Sequence, residues 1–254
     1  MRVTILGCGA SGGVPVIGNH WGACDPGNPR NRRLRVSILV EEGDTRLLVD
    51  TSPDMRQQLL AAEIGTLDAV LFTHDHADHT HGINELRMMA VMAGRPIDAY
   101  ADRVTLDSVA TRFDYAFTHR PGSGYPPFVV AHEISGPLTI GAIDVVPFPQ
   151  IHGDLTTLGL RFGKLGYSTD VVELPEEAFE ALAGIDTWIV GCLRYDPHPT
   201  HAHLDLVLDW AERLKPRRTI LTHMGHTLDY DEVKSRCPPG VEPGHDGMVI
   251  ELKR

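Results

Sequence analysis

Apolar positions along the chain fall in short runs separated by turn residues. Val3–Leu6, Val36–Val40, Arg46–Val49 and Ala69–Phe72 are brief and mostly rich in β-branched residues, which predicts strands. Later runs predict strands at Ile97–Ala101, Ile143–Phe148, Thr157–Phe162, Lys164–Tyr167, Trp188–Val190, Thr219–Leu221 and Met248–Leu252. Helices are predicted at Asp54–Ala62, Ile83–Met92, Val104–Arg112, Pro175–Leu182 and Leu204–Leu214. His119–Pro127 holds three prolines and two glycines and predicts a surface loop. Strands and helices interleave from end to end, without repeat or linker. The expectation is a layered α/β architecture and one domain over residues 1–254.

Composition narrows the choice of function. The formal net charge of −11 disfavours broad nucleic-acid binding, which needs a basic footprint, so no stable nucleic-acid complex is expected. No apolar run reaches the roughly 18 residues of a membrane span. Val3–Leu6 is too short for a signal-peptide core, so a cytoplasmic location is expected. Cys8, Cys24, Cys192 and Cys237 are scattered and read as free thiols. The 14 histidines are the anomaly, because histidine is the commonest metal ligand.

Gly7-Cys8-Gly9-Ala10-Ser11-Gly12 matches a dinucleotide-binding glycine pattern after a strand. That chemistry needs a helix opening at the loop to hold the pyrophosphate. Gly13-Val14-Pro15 follows instead, and no helix is predicted before Asp54, so a tight turn is expected.

His74-Asp75-His76-Ala77-Asp78-His79 carries the chemistry. Alternate residues of an extended segment share a side, so His74 and His76 can reach one metal ion. Asp78 and His79 lie just beyond, where a turn can aim them at a second. His152, Asp170 and His223 each follow a predicted strand, where α/β sites collect. Imidazoles and carboxylates suit zinc, manganese or iron. Asp50, at the end of another strand, is placed to orient the histidine motif.

These residues resemble the metallo-β-lactamase superfamily, in which two mixed β-sheets flanked by helices make a four-layer αββα sandwich around a dinuclear site. Gly7–Pro15, Leu71–His79, Ser168–Pro175, His201–Leu208, Ile220–His226 and Asp246–Met248 are most similar to the phosphodiesterases that open phosphoribosyl cyclic phosphate in the carbon–phosphorus lyase pathway. The resemblance implies that His74, His76 and His152 hold one divalent ion and Asp78, His79 and His223 the other, with Asp170 between them. It further implies a metal-held hydroxide as nucleophile and His201 as general acid, with His203 as competitor. Asp78 then serves catalysis as well as metal binding. Arg194, His203 and His226 are candidates for binding a small phosphorylated substrate, and a homodimer is implied. That family also carries an N-terminal cysteine cluster for a structural zinc. Only Cys24, with His226, matches it, so no structural zinc is expected.

The leading expectation is therefore a phosphodiester hydrolase. An RNA-processing nuclease of the ribonuclease Z type and a thioester or lactone hydrolase are alternatives on the same metals. A non-catalytic nucleotide-binding module is the alternative of another class.

Overall fold

The computed structural model describes residues 1–119, 122, 124 and 126–252. The chain enters a first sheet with β1 (Arg2–Gly7), β2 (Ser37–Glu42), β3 (Thr45–Val49), β4 (Ala69–Leu71), β5 (Ile97–Ala101) and β6 (Val129–Glu133). It then builds a second from β7 (Leu138–Ile140), β8 (Ile143–His152), β9 (Leu155–Phe162), β10 (Leu165–Ser168), β11 (Thr187–Gly191), β12 (Arg218–Thr222) and β13 (Val241–Pro243). β14 (Val249–Glu251) returns to pair with β1, so the first sheet has the order β14-β1-β2-β3-β4-β5-β6. The second keeps chain order, β7 to β13.

The alternation along the strands explains the layering. β2 turns Ile38 and Val40 into the space between the sheets and Leu39 outward, and β3 does the same with Leu47 and Val49 against Leu48. Between the sheets they join Phe148, Leu160 and Phe162. The outer residues meet α1 (Met55–Ala61), α3 (Leu86–Ala93) and α4 (Arg103–Arg112) through Met55, Leu59, Met89 and Val109. α2 (Ala77–Thr80) and α5 (Asp114–Phe117) are single turns on the same half. α6 (Glu176–Leu182), α7 (Leu204–Leu214) and α8 (Tyr230–Arg236) belong to the second half, where Phe179, Val207 and Trp210 join the core. Strands covered on both faces read as unbroken apolar runs, which is why the early strands were legible.

Some expectations needed correction. β8 runs on through Pro147 and Pro149 to His152 instead of stopping at Phe148. The segment from Ile83 begins as a 3-10 turn, and the α-helix proper is Leu86–Ala93. β6, β7 and β13 were not predicted, because all three are sheet edges: β6 and β7 mix polar with apolar positions, and β7 and β13 are only three residues long. The polar α8 was missed too, although its Asp229 cap accepts from the Asp231 and Glu232 N–H groups. The expected loop His119–Pro127 falls partly outside the described residues.

β3, β4, β5 and β6 run parallel, as do β10, β11, β12 and β13. The chain leaves several of these strands directly into the residues of the histidine cluster.

Candidate metal centre

Beyond β4, Phe72 and Thr73 lead into the loop with His74 and His76. His76 is the extended residue before α2, whose one turn carries Asp78 and His79. Gly82 seats this turn against the loop after β3. Its N–H donates to the Thr51 carbonyl at 2.9 Å, and a Cβ there would lie 2.1 Å from the Ser52 carbonyl oxygen. Only glycine permits that approach. β8 delivers His152 as its last residue, Asp170 lies two residues beyond β10, and His223 directly follows β12.

Two donor groups converge. Ligand atoms of His74, His76, His152 and Asp170 all lie within 4.8 Å of one another, as do those of Asp78, His79, Asp170 and His223. Asp170 belongs to both. Its Oδ2 is 3.8 Å from His74 Nε2 and 3.7 Å from His152 Nε2, while its Oδ1 is 3.2 Å from both His79 Nε2 and His223 Nε2. Asp78 Oδ2 is 3.5 Å from the same two nitrogens of His79 and His223.

The rings are aimed by neighbours that hold the opposite nitrogen. Asp50 Oδ2 is 2.7 Å from His79 Nδ1, and Asp50 also accepts the Thr73 N–H and hydroxyl, each at 2.8 Å. The Thr73 hydroxyl has only one proton and gives it to Asp50. Its oxygen therefore accepts from His74 Nδ1 at 3.0 Å, leaving the Nε2 lone pair of His74 for the cluster. His152 Nδ1 donates to the Thr200 carbonyl at 2.6 Å, with the same result.

The backbone is strained here. Asp50, Asp170 and His223 adopt φ of +63°, +48° and +53°. Such values cost a non-glycine residue about 1–3 kcal/mol and persist only where the surroundings over-determine them. The Asp50 carbonyl accepts the Ser37 hydroxyl at 3.0 Å, and the Asp170 carbonyl accepts that of Thr157 at 3.2 Å. Gln150, buried beside them, donates to the Thr169 carbonyl and the Thr157 hydroxyl.

Electrostatics favour the ligand-ready protonation state. Burial opposes charge on Asp170, but His223 and His79 outweigh it and hold the carboxyl well below its ordinary range. Asp78 is low on the same balance, with hydrogen bonds from His223 and His79 prevailing over burial. Burial lowers His74 strongly and His152 less. His79 is the exception: burial works against its charged form, yet Asp170 and Asp50 hold it well above the ordinary value. Burial raises Asp50, which nonetheless keeps its bonds to His79 and Thr73.

The donor set fits divalent cations. Among the described residues, the buried His74 Nε2 and His79 Nε2 have no hydrogen-bond partner, in a cluster that also holds two carboxylates. A bound cation would satisfy both kinds of group at once.

His201 lies against the cluster. Its ring stacks on His223 with centroids 4.9 Å apart, and its Nδ1 is 3.9 Å from Asp170 Oδ2. Burial, then repulsion from His223, lowers it to about 3. Its side chain is 17% exposed, against 2% for Asp170. His203 precedes α7 and makes no side-chain cap. Arg194 donates to the carbonyls of Asp196 and Pro197 in its own loop. His226 turns its ring onto His20, 5.3 Å away, and its carbonyl accepts from Ala23. None of these three belongs to the two donor groups. Thr73, Thr157, Gln150 and Thr200 were missed in the sequence. Only Thr73 carried a signal, its place beside the motif.

A family model described as "Beta-lactamase superfamily domain" matches residues 45–224. The chain belongs to the beta-lactamase superfamily. The two seven-stranded sheets and their helices are the αββα sandwich of its metallo-β-lactamase members. A crystal structure of a diphosphatase from the PhnP family is 34% identical, with 99% of this chain and 98% of that one covered and a TM-score of 0.92. Zinc-bound PqqB from Methylobacterium extorquens shares the superfamily fold at 21% identity, with 99% and 100% covered and a TM-score of 0.76. An octanoyltransferase of Porphyromonas gingivalis is 33% identical over 259 residues, covering 100% of this chain and 52% of the relative. The chain thus spans about half the length of the first curated relatives it matches.

Proposed function

We propose that the protein is a dinuclear metal-dependent phosphodiesterase acting on a small cyclic or nucleotide-like phosphate. The observation that carries the reading is the division of Asp170, one oxygen facing His74 and His152, the other His79 and His223. His74, His76 and His152 would hold one ion, Asp78, His79 and His223 the other, and Asp170 would span them. When bound, two divalent cations supply Lewis acidity toward phosphoryl oxygens and bring the pKa of coordinated water near neutrality. The protein supplies the rest. Asp50, Thr73 and the Thr200 carbonyl keep the rings aimed, and burial excludes bulk water. His201, more exposed than the cluster beneath it, would give a proton to the leaving oxygen. An anionic phosphate beside His201 favours its protonated form, opposing the burial that lowers it. Support for a phosphoryl substrate comes from the full-length likeness to the PhnP-family diphosphatase.

A second reading, hydrolysis of an acyl thioester, is favoured by the likeness to the octanoyltransferase. Protein loaded separately with zinc, manganese or iron and offered a chromogenic phosphodiester, an octanoyl thioester and an RNA separates the readings. Faster turnover of the phosphodiester is expected. Preference for the thioester selects the second reading, and preference for RNA selects the nuclease.

A further inference from the structure

His223 differs from its neighbours in how it is held. His79 and His152 have their second ring nitrogens fixed by Asp50 and by the Thr200 carbonyl. Among the described residues, the buried His223 Nδ1 has no hydrogen-bond partner, and its backbone sits at φ +53°. With no bond on its far nitrogen, the ring is aimed by its stacking on His201 and by the backbone that carries it.

That backbone is gripped by the glycine loop after β1. The N–H of Met224, next to His223, donates to the Cys8 carbonyl at 2.8 Å, and the Ala10 N–H donates to the Met224 carbonyl at 3.2 Å. One residue on, the Gly225 N–H donates to the Leu193 carbonyl at 3.0 Å, and its carbonyl accepts Arg33 Nη1 at 3.1 Å. Arg33 is buried, and its Nη2 reaches the Leu228 carbonyl at 2.7 Å and Asn31 Oδ1 at 3.2 Å. The loop is anchored in turn. Asp246 accepts the Cys8 N–H on one carboxylate oxygen at 3.0 Å and the Leu34 N–H on the other at 2.7 Å. The Gly9 N–H donates to the Leu34 carbonyl at 2.8 Å. A Cβ on Gly9 would lie 2.8 Å from that oxygen and 3.0 Å from the Arg33 carbonyl oxygen, both backbone atoms, so any side chain forces the loop away.

We infer that the Gly7–Ala10 loop, Arg33 and Asp246 form a clamp that sets the position of His223. Arg33 and Asp246 are positioning residues for the Asp78–His79–Asp170–His223 group and leave the other group alone. The glycine pattern that mimics a nucleotide fingerprint therefore serves a backbone-to-backbone contact. This inference rests on the two-ion reading above.

Zinc titration of the whole chain against a competing chelator tests it, with Gly9→Ala and Asp246→Asn compared with the unaltered protein. Leu48→Ala, a core truncation facing the outer helices, serves as a control for general loss of stability. The expected result is that one of two zinc affinities weakens about 10- to 100-fold in both clamp variants while the other holds. In metal-free protein, amide hydrogen exchange at Met224 and Gly225 should accelerate in Asp246→Asn beyond its change in Leu48→Ala. Two unchanged affinities with unchanged exchange overturn the clamp, as does a parallel fall of both affinities like that in the control. An unaltered protein that binds no zinc, manganese or iron overturns the two-ion reading itself and the clamp with it.

Discussion

The two donor groups share Asp170 and differ in charge and depth. The His74–His76–His152 group has three imidazoles and one oxygen of Asp170, and His76 is only half-buried. The Asp78–His79–His223 group adds a second carboxylate, and its histidines are buried. Behind it stands Asp50, a further buried carboxylate bonded to His79. More negative charge in a drier setting attracts a cation more strongly. The comparison suggests a division of labour on the two-ion reading: the deeper group would hold its ion more tightly, and the shallower group, with half-buried His76, lies closer to solvent.

The most drastic way to break this comparison is to remove what the groups share. Asp170→Asn should strip both ions and reduce hydrolysis to background, measured by elemental analysis beside the activity assay. Two ions retained at unaltered affinity would show that Asp170 does not span the groups.

Changing one group at a time sharpens the difference. His152→Ala should leave one ion bound in the deeper group, whereas His79→Ala should cost the tighter ion. Identical losses in the two variants would erase the distinction.

His201 tests whether the face over the cluster does chemistry. His201→Ala should keep two ions and lower kcat by about 10²- to 10⁴-fold, as expected for a lost general acid. Unchanged kcat rejects it as the proton donor.

A smaller effect concerns the anchor behind the deeper group. Burial raises the Asp246 carboxyl to about 6, from an ordinary 3.8. Between those values the folded protein holds the proton and the unfolded chain does not. The stability contribution is therefore complete below the unfolded value, declines as pH rises through about 6, and stays level above it. The decline should be on the order of 3 kcal/mol. Denaturation of metal-free protein across pH 3.5–7, set against Asp246→Asn, measures it, and parallel curves would disprove it.

The smallest effect is expected at Arg194, whose guanidinium is bonded to carbonyls of its own loop. Arg194→Ala should change KM by less than about threefold, in the range of an exposed polar contact. A tenfold rise in KM would identify it as a substrate-binding residue.

Much of the fold was legible because its inner strands are apolar on both faces. Ile38, Leu39, Val40, Leu47, Leu48 and Val49 announce two covered faces without knowledge of what covers them. Edge strands such as β6 and β7 were not legible, since one partner strand and a half-exposed face leave little pattern. The metal motif was legible for a chemical reason, the density of imidazole and carboxylate within six residues. Thr157, Gln150 and the Thr200 carbonyl were not, because a hydroxyl, an amide or a carbonyl carries no mark of the residue it will hold.

The sequence by itself determined the donor types, their positions after strands and the absence of a helix at the glycine loop. Those depend on local pattern and on the chemistry of individual side chains. Only the tertiary structure decided that Asp170 divides its two oxygens, that three site residues adopt left-handed backbones, and that His201 stacks on His223 while His226 turns to His20. The Asp170, His201 and His226 contacts join residues far apart in the chain, and the left-handed backbones persist only because such surroundings hold them. The physical reason is the same throughout: a hydrogen bond or a shared cation is specified by distance in space, and sheets that bring residue 8 beside residue 224 leave no trace of that distance along the chain.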